Sequence, residues 1–379
     1  EQYVPWISIK PKQNLVCAFL DNKYEIKTAT KINMNGCEIT EDLEIFIKPG
    51  VFEDFIEQNV KKNIEISPQN VKIYYDKNDK IVFEGTATNG RQIITAPLSK
   101  LLAKALENGI PEFELPVKEI LGQVEADEKL KSLGIKELVA VGYSNFSGSS
   151  QARIYNVNFG ISKYNGLMIA PGEKFSFNEH LGGPVTNEAG WKSELVIKGN
   201  KTVPEAGGGL CQVSSTFYRA AFYGGYEINE RTGHSYAVSY YANPHYGMDC
   251  TIYPGVKDCI FTNDSDFNIL IQTYTEGVDA YFKFYSTSDG RKVELEGPYY
   301  YGYNSASPVS ETSSALQPGQ KKITENAHTG FSVDWYRTVI KDGVRGAKKY
   351  FYTKYRAVPA KYIVGAEAAT VNESEAVVQ

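Results

Sequence analysis

Long apolar runs are missing from this 379-residue chain. No stretch approaches the roughly 18 apolar residues that a membrane-spanning helix needs. No secretory leader is visible, and the first residue is Glu1 rather than Met, so the sequence reads as a mature or trimmed piece compatible with a membrane anchor upstream. Cysteine is scarce: Cys17, Cys37, Cys211, Cys250 and Cys259. That density is too low for a disulfide scaffold, and the odd count leaves one thiol over if all pairing is internal. No Cys-x-x-Cys pair and no Cys/His cluster with zinc spacing occurs, so neither a metal nor another cofactor is expected. Basic charge is not in excess either. Forty Lys+Arg face 45 Asp+Glu for a net charge of −5, which gives no electrostatic reason to expect a nucleic-acid partner. Trp and Met are rare at 3 each, whereas Tyr reaches 27. That surplus fits Tyr-rich sheet surfaces or carbohydrate-facing platforms alike.

The length implies more than one domain, and the pattern predicts an α+β multidomain chain. Residues 1–128 read as a small α+β domain. Within it, Phe52, Phe55, Ile56, Val60 and Ile64 form one stripe of an amphipathic helix over 51–64. Val71–Tyr75 and Lys80–Phe83 flank Asp76-Lys77-Asn78-Asp79 as a hairpin, and a second helix is expected from Pro97 to Asn108, stopped by Gly109. Residues 129–297 read as a central mixed α/β domain of catalytic type. The polar, Ser-rich stretch 298–318 reads as a linker. Residues 319–365 carry short alternating runs around the turn Lys341-Asp342-Gly343 and read as a small all-β module. Residues 366–379 lack periodicity and are expected to be a disordered tail.

Chemistry points to Gly207-Gly208-Gly209-Leu210-Cys211-Gln212-Val213-Ser214-Ser215-Thr216. Val213, Phe217, Ala220 and Ala221 recur at helical spacing, and Gly224-Gly225 supplies the stop. Cys211 is therefore predicted in the first turn of a short buried helix, behind a Gly-rich turn. Partial positive charge at that end favours the thiolate, which is the nucleophile, and free N–H groups there could hold an oxyanion. His234 lies 23 residues further on, at the start of an expected strand over Tyr236–Tyr241. The helix covers about 20 Å, and the return at strand rise is up to roughly 30 Å, enough to bring His234 back to the thiol as ion-pair partner or base. Asp249 precedes an expected strand, Cys250–Tyr253, and could orient His234 as a third member. Against this stands the ordinary behaviour of a lone cysteine on an apolar helix, which packs as a small hydrophobe. Cys250 and Cys259 read as packed thiols, and His180, His245 and His328 as surface or turn histidines.

Residues 135–290 resemble the VanW family. The resemblance rests on Arg153-Ile154-Tyr155-Asn156, Pro171-Gly172-Glu173-Lys174-Phe175-Ser176-Phe177-Asn178, the glycine–cysteine segment, Glu230-Arg231, His234-Ser235 and Val238-Ser239-Tyr240. The chain departs from the family pattern at Cys250, where a small residue is usual, and at Gly233, where Pro usually precedes the His. Residues 40–125 resemble the peptidoglycan-binding-type domain that often precedes a VanW domain. Gly319, Gly330, Gly343, Gly346 and Gly365 resemble the punctuation of a G-five module. The resemblance implies a protein on the extracellular face of a Gram-positive-type cell, in the wall or membrane-anchored, with peptidoglycan stem peptides as partners. It further implies L,D-transpeptidation through a cysteine thioester, giving 3–3 cross-links. Cys211, His234 and Asp249 would be catalytic, and Gly209, Ser214, Ser215, Arg231 and Tyr236 would contact substrate, with Tyr240 and Tyr241 in the same cleft. A cysteine amidase or endopeptidase of peptidoglycan stems, or a non-catalytic wall-binding protein, remain as alternatives.

Overall fold

The structure is a computed structural model that describes residues 24–31, 40–47, 50–96, 98–108, 115–198, 201–243 and 245–366. The chain is α+β and divides into two compact units. One comprises Glu1–Lys72 and Glu84–Glu125, the other Ile73–Phe83 and Ala126–Gln379.

The amphipathic stripe of the first unit is split. Helix runs over Val51–Asn59, then again over Lys61–Ile64 after a break at Val60. Phe52, Ile56, Val60 and Ile64 are buried and Phe55 is partly so, because the i, i+4, i+8 spacing keeps one face inward across the break. Glu53 fastens the start of this helix. Its carboxylate accepts the Gly50 N–H at 3.2 Å and the Ser99 hydroxyl, tying the first helix to the second, Leu98–Glu107. Pro97 and Gly109 lie outside the described residues. The hairpin over Gln69–Tyr75 and Ile81–Thr88 turns on Asp76, whose carboxylate accepts the N–H groups of Asn78 and Lys80 at 2.8 and 2.9 Å.

The second unit is built around an antiparallel sheet of Glu137–Asn145, Asp279–Ser286, Ile269–Glu276 and Met168–Ile169, in that order. Against it lies the helix Leu210–Tyr223. Contact between them is close because Gly142 has no side chain. A Cβ there would fall 2.0 Å from the Thr216 carbonyl oxygen and 2.7 Å from the Ala220 nitrogen, so the strand needs glycine where the helix backbone passes. Phe217 sits at the centre of the core, ringed by Tyr164, Phe175, Phe177, Phe261, Phe282 and Phe284. A second antiparallel sheet joins Lys174–Ser176, Ile260–Thr262 and Glu227–Glu230.

Several stretches differ from what their residues suggest. Residues 298–318, expected as a linker, carry the second part of the strand Lys292–Asn304 and a strand of a further sheet, Val309–Ser313. The first pairs with Gly330–Lys341, which pairs in turn with Lys349–Tyr355. One face of this C-terminal sheet looks to solvent, so its strands are polar and Tyr-rich and imitate a loop. Its other face is apolar: Phe331, Val333, Trp335 and Tyr355 belong to the same buried cluster as Phe217. Tyr236–Tyr241 is no strand but ends in a 3-10 turn, Ser239–Tyr241. Cys250–Tyr253 is irregular apart from one bridge at Tyr253. The expected tail is outside the described residues apart from Ala366.

Candidate active site

Cys211 is the second residue of its helix. The turn before it requires glycine. Gly207 and Gly209 have φ of +83° and +107°, in the left-handed region, and a Cβ on Gly208 would meet the Glu194 Cβ at 2.7 Å. Asn156 is fully buried and pins this run. Its amide donates to the Gly208 and Lys192 carbonyls at 2.9 Å, and its oxygen accepts the Lys192 N–H at 2.8 Å. The Leu210 and Gln212 N–H groups close turns onto Gly207 and Gly209, each at 2.9 Å, which takes them out of the oxyanion role suggested for the whole run. Leu210 and every residue from Gln212 to Phe222 are buried, whereas Cys211 is partly exposed. Its sulfur lies 3.8 Å from the Ile252 carbonyl oxygen, and a partly exposed thiol at a helix start is placed to react.

Cys211, His234 and Asp249 come together. The His234 Nδ1 and the Asp249 Oδ2 lie 2.5 Å apart, and the same oxygen accepts the His234 backbone N–H at 2.6 Å. With Nδ1 so engaged, Nε2 is the ring nitrogen left to face Cys211, and the two groups shift one another's proton affinity. Tyr241 stacks on the imidazole at 4.2 Å between ring centres, fixing its plane. The other Asp249 oxygen accepts from the Tyr355 hydroxyl at 2.5 Å and from Arg231 Nη2 at 3.2 Å.

This network sets the proton positions. Burial of Cys211 favours the neutral thiol, but the His234 hydrogen bond and charge outweigh it and hold the thiol below its ordinary value. Burial of His234 favours the neutral ring, but Asp249 and Cys211 push its pKa up to about 9. Asp249 would be raised by burial, yet His234, Arg231 and Tyr355 hold it well below the usual carboxylate range. At neutral pH an imidazolium rests on a buried carboxylate, and its charge biases the neighbouring Cys211 toward the thiolate.

Each of the five expected substrate contacts has structural work. Ser214 and Ser215 are fully buried. Ser214 donates to the Cys250 carbonyl at 2.6 Å, and Ser215 donates to the Cys211 carbonyl at 2.7 Å while accepting the Cys250 N–H at 3.0 Å. They fasten the helix to the segment bearing Asp249. The Arg231 side chain is 7% exposed, and its guanidinium serves Asp249, the Gly247 carbonyl and the Thr353 hydroxyl. Tyr236 is buried against His328, a histidine with a defined partner in the Ala237 carbonyl at 2.9 Å. Gly209 shapes the turn. Of the expected cleft residues, Tyr240 covers the Arg153 guanidinium at 3.9 Å.

Sequence reasoning missed Arg219, Arg153, Asn156 and Tyr355. Arg219 is fully buried in mid-helix and donates to the carbonyls of Met248, Tyr143, Asn243 and Tyr241, so it shapes the loop that carries Tyr241 and Asp249. An arginine among Phe217, Ala220 and Ala221 was the available signal, since a buried charge needs partners. Arg153 donates to the Gln212 side chain at 2.9 Å, beside the nucleophile. Cys250 and Cys259 are buried free thiols, and no cluster of three or more metal-ligating side chains occurs among the described residues.

Residues 152–285 match the protein family described as VanW like protein, and this part of the chain is a VanW-like domain. The chain is 29% identical over 190 residues to the uncharacterized protein YoaR of Bacillus subtilis, covering 50% of this chain and 61% of that protein. It is 30% identical over 118 residues to the vancomycin B-type resistance protein VanW of Enterococcus faecalis, covering 30% of this chain and 42% of that protein. The chain thus spans less than two thirds of either relative. Among solved structures it is similar to the crystal structure of HP0197-G5, at 16% identity and a TM-score of 0.12, over 20% of this chain and 97% of that one.

Proposed function

We propose that this protein is a peptidoglycan L,D-transpeptidase that works through a thioester on Cys211. The observation that carries the reading is one partly exposed thiol, on an otherwise buried helix, ion-paired through His234 to Asp249. The VanW-like domain supports a cell-wall setting, and a wall-facing, membrane-anchored location goes with it. The Cys211 thiolate attacks the carbonyl of the third stem residue, and the tetrahedral oxyanion collapses to a thioester. The bond to the terminal D-Ala nitrogen breaks, and the imidazolium of His234 gives its proton to the departing amine. The neutral ring then takes a proton from the side-chain amine of a second stem as that amine attacks the thioester. An amide forms and the thiolate leaves. Asp249 holds the ring so that one nitrogen serves both transfers.

The test is incubation with disaccharide-tetrapeptide and mass analysis of the products. Cross-linked dimer with loss of one D-Ala is the expected result. Cys211→Ala should abolish it and leave the thermal melt unchanged within a few degrees, because the side chain is partly exposed and fills no deep core position. Dimer from the Ala protein would refute the nucleophile. Hydrolysed tripeptide without dimer would make the protein a hydrolase of the stem, which shares the thioester and differs in the acceptor. A specific observation favours wall binding as an added property: Tyr299, Tyr301, Tyr350 and Tyr352 are exposed on the C-terminal sheet, a surface of the kind that stacks on sugar rings.

A further inference from the structure

The carboxylate that orients His234 is completed from outside the VanW-like domain. Tyr355 closes the strand Lys349–Tyr355, seventy residues beyond the last matched position, 285. Its hydroxyl donates to Asp249 Oδ1 at 2.5 Å and accepts the Gly247 N–H at 3.0 Å. Two neighbours reinforce the connection. The Arg356 N–H donates to the Ser235 carbonyl at 2.9 Å, next to His234, and Thr353 accepts Arg231 Nη1 at 2.7 Å. Tyr355 itself is 1% exposed, with Phe331 and Tyr246 packed on its ring.

Asp249 has two oxygens with different duties. One serves His234 twice, through the ring and the backbone. The other is held by Arg231 and Tyr355. An aspartate fixed at one oxygen can still rotate about its χ2 torsion, which is soft. Fixing the second oxygen removes that freedom, and with it the play of the imidazole against the thiol. From this geometry we infer that Tyr355, supplied by the C-terminal sheet, is a positioning residue for the Cys211–His234–Asp249 relay. The inference rests on the cysteine chemistry proposed above, and it makes the C-terminal sheet a structural part of that centre rather than a wall-binding appendage alone.

The charged and titratable groups facing Asp249 are His234, Arg231, Arg219, Cys211, Tyr241 and Tyr355. Removing the Tyr355 hydroxyl frees one Asp249 oxygen and loosens the imidazolium, and a less well-held imidazolium favours the Cys211 thiolate less.

The test uses the full chain and iodoacetamide, with alkylation at Cys211 followed by peptide mass mapping across pH. In Tyr355→Phe the midpoint should move up by about half a pH unit or more, which is roughly threefold less thiolate on the acid limb. With disaccharide-tetrapeptide, kcat should fall while KM stays. Tyr303→Phe removes the hydroxyl of an exposed tyrosine of the same sheet and should leave the midpoint where it is. A merely structural role would lower the melting temperature without moving the midpoint, and that result overturns the inference. If the Phe protein is unfolded at the assay temperature, Thr353→Val loosens Arg231 instead and should move the midpoint in the same direction; no movement there overturns the inference too. Failure of the wild type to form dimer would sink the transpeptidase reading alone, because the alkylation midpoint does not depend on the acceptor.

Discussion

Replacing Asp249 with Asn keeps the shape and removes the charge. The wild-type carboxylate receives four donors: the His234 N–H at 2.6 Å, the His234 ring, the Tyr355 hydroxyl and Arg231. An Asn amide has one acceptor oxygen, so its NH2 group must face donors on the other side. It also leaves Arg231, which is 7% exposed at its side chain, as a buried charge without its counter-ion. Breaking a buried pair in this way costs about 3 to 5 kcal/mol. In a unit of this size the melting temperature should drop by on the order of 10 °C. The pH dependence should change as well. The folded pKa of Asp249 is depressed, so its contribution is present above the ordinary value of 3.8 and is lost as pH falls. That of His234 is raised, so its contribution is complete below 6.5 and is lost as pH rises through about 9. Wild-type stability should therefore be highest between those ordinary values, and the Asn protein should show a flatter profile on both sides. Calorimetry across pH 3 to 10 reads both effects. An Asn protein melting within two degrees of wild type, with an unchanged pH profile, would refute the account of this carboxylate.

Other substitutions test the same centre. His234→Ala leaves Cys211 with burial but without its partner, so its pKa should move up. Below the thiol's pKa each unit of upward shift removes about nine-tenths of the thiolate, so iodoacetamide should react at pH 7 about tenfold more slowly or worse; a rate within threefold of wild type would rule out the ion pair. Ser215→Ala strands the buried Cys250 N–H that Ser215 now accepts at 3.0 Å. Denaturant melts should show a loss of about 1 to 3 kcal/mol, and no loss would remove the seam between helix and Asp249 segment as a source of stability.

The cysteine helix was legible because its signals are local: apolar residues at helical spacing, glycines before and after, and a side chain at each end of a known span. The reach of His234 followed from chain length alone. Ser214 and Ser215 were misjudged because i+3 and i+4 do share the face of Cys211. On a helix this buried, their hydroxyls turn back to carbonyls and to Cys250 instead of meeting a ligand. Residues 236–241 and 250–253 looked like strands from their Tyr, Val and Ile content. Several of their carbonyls are taken by side chains, Tyr241 by Arg219, Ala237 by His328 and Cys250 by Ser214, so side-chain partners stand where a neighbouring strand would have been. Tyr355 gave no local sign at all: it meets Asp249 across 106 residues.

The inner face of the C-terminal sheet bears on how this protein can be rearranged by recombination or by hand. Phe331, Val333 and Trp335 lie in one cluster with Phe217 and Phe222, and Arg337 reaches across to the Phe222 and Tyr226 carbonyls at 2.8 and 2.7 Å. Such a sheet is not a cassette. Grafting a different all-β module after residue 286, or cutting the chain there, would bare this apolar surface and two helix-end carbonyls at once, so a functional chimaera has to carry the seam along with the graft.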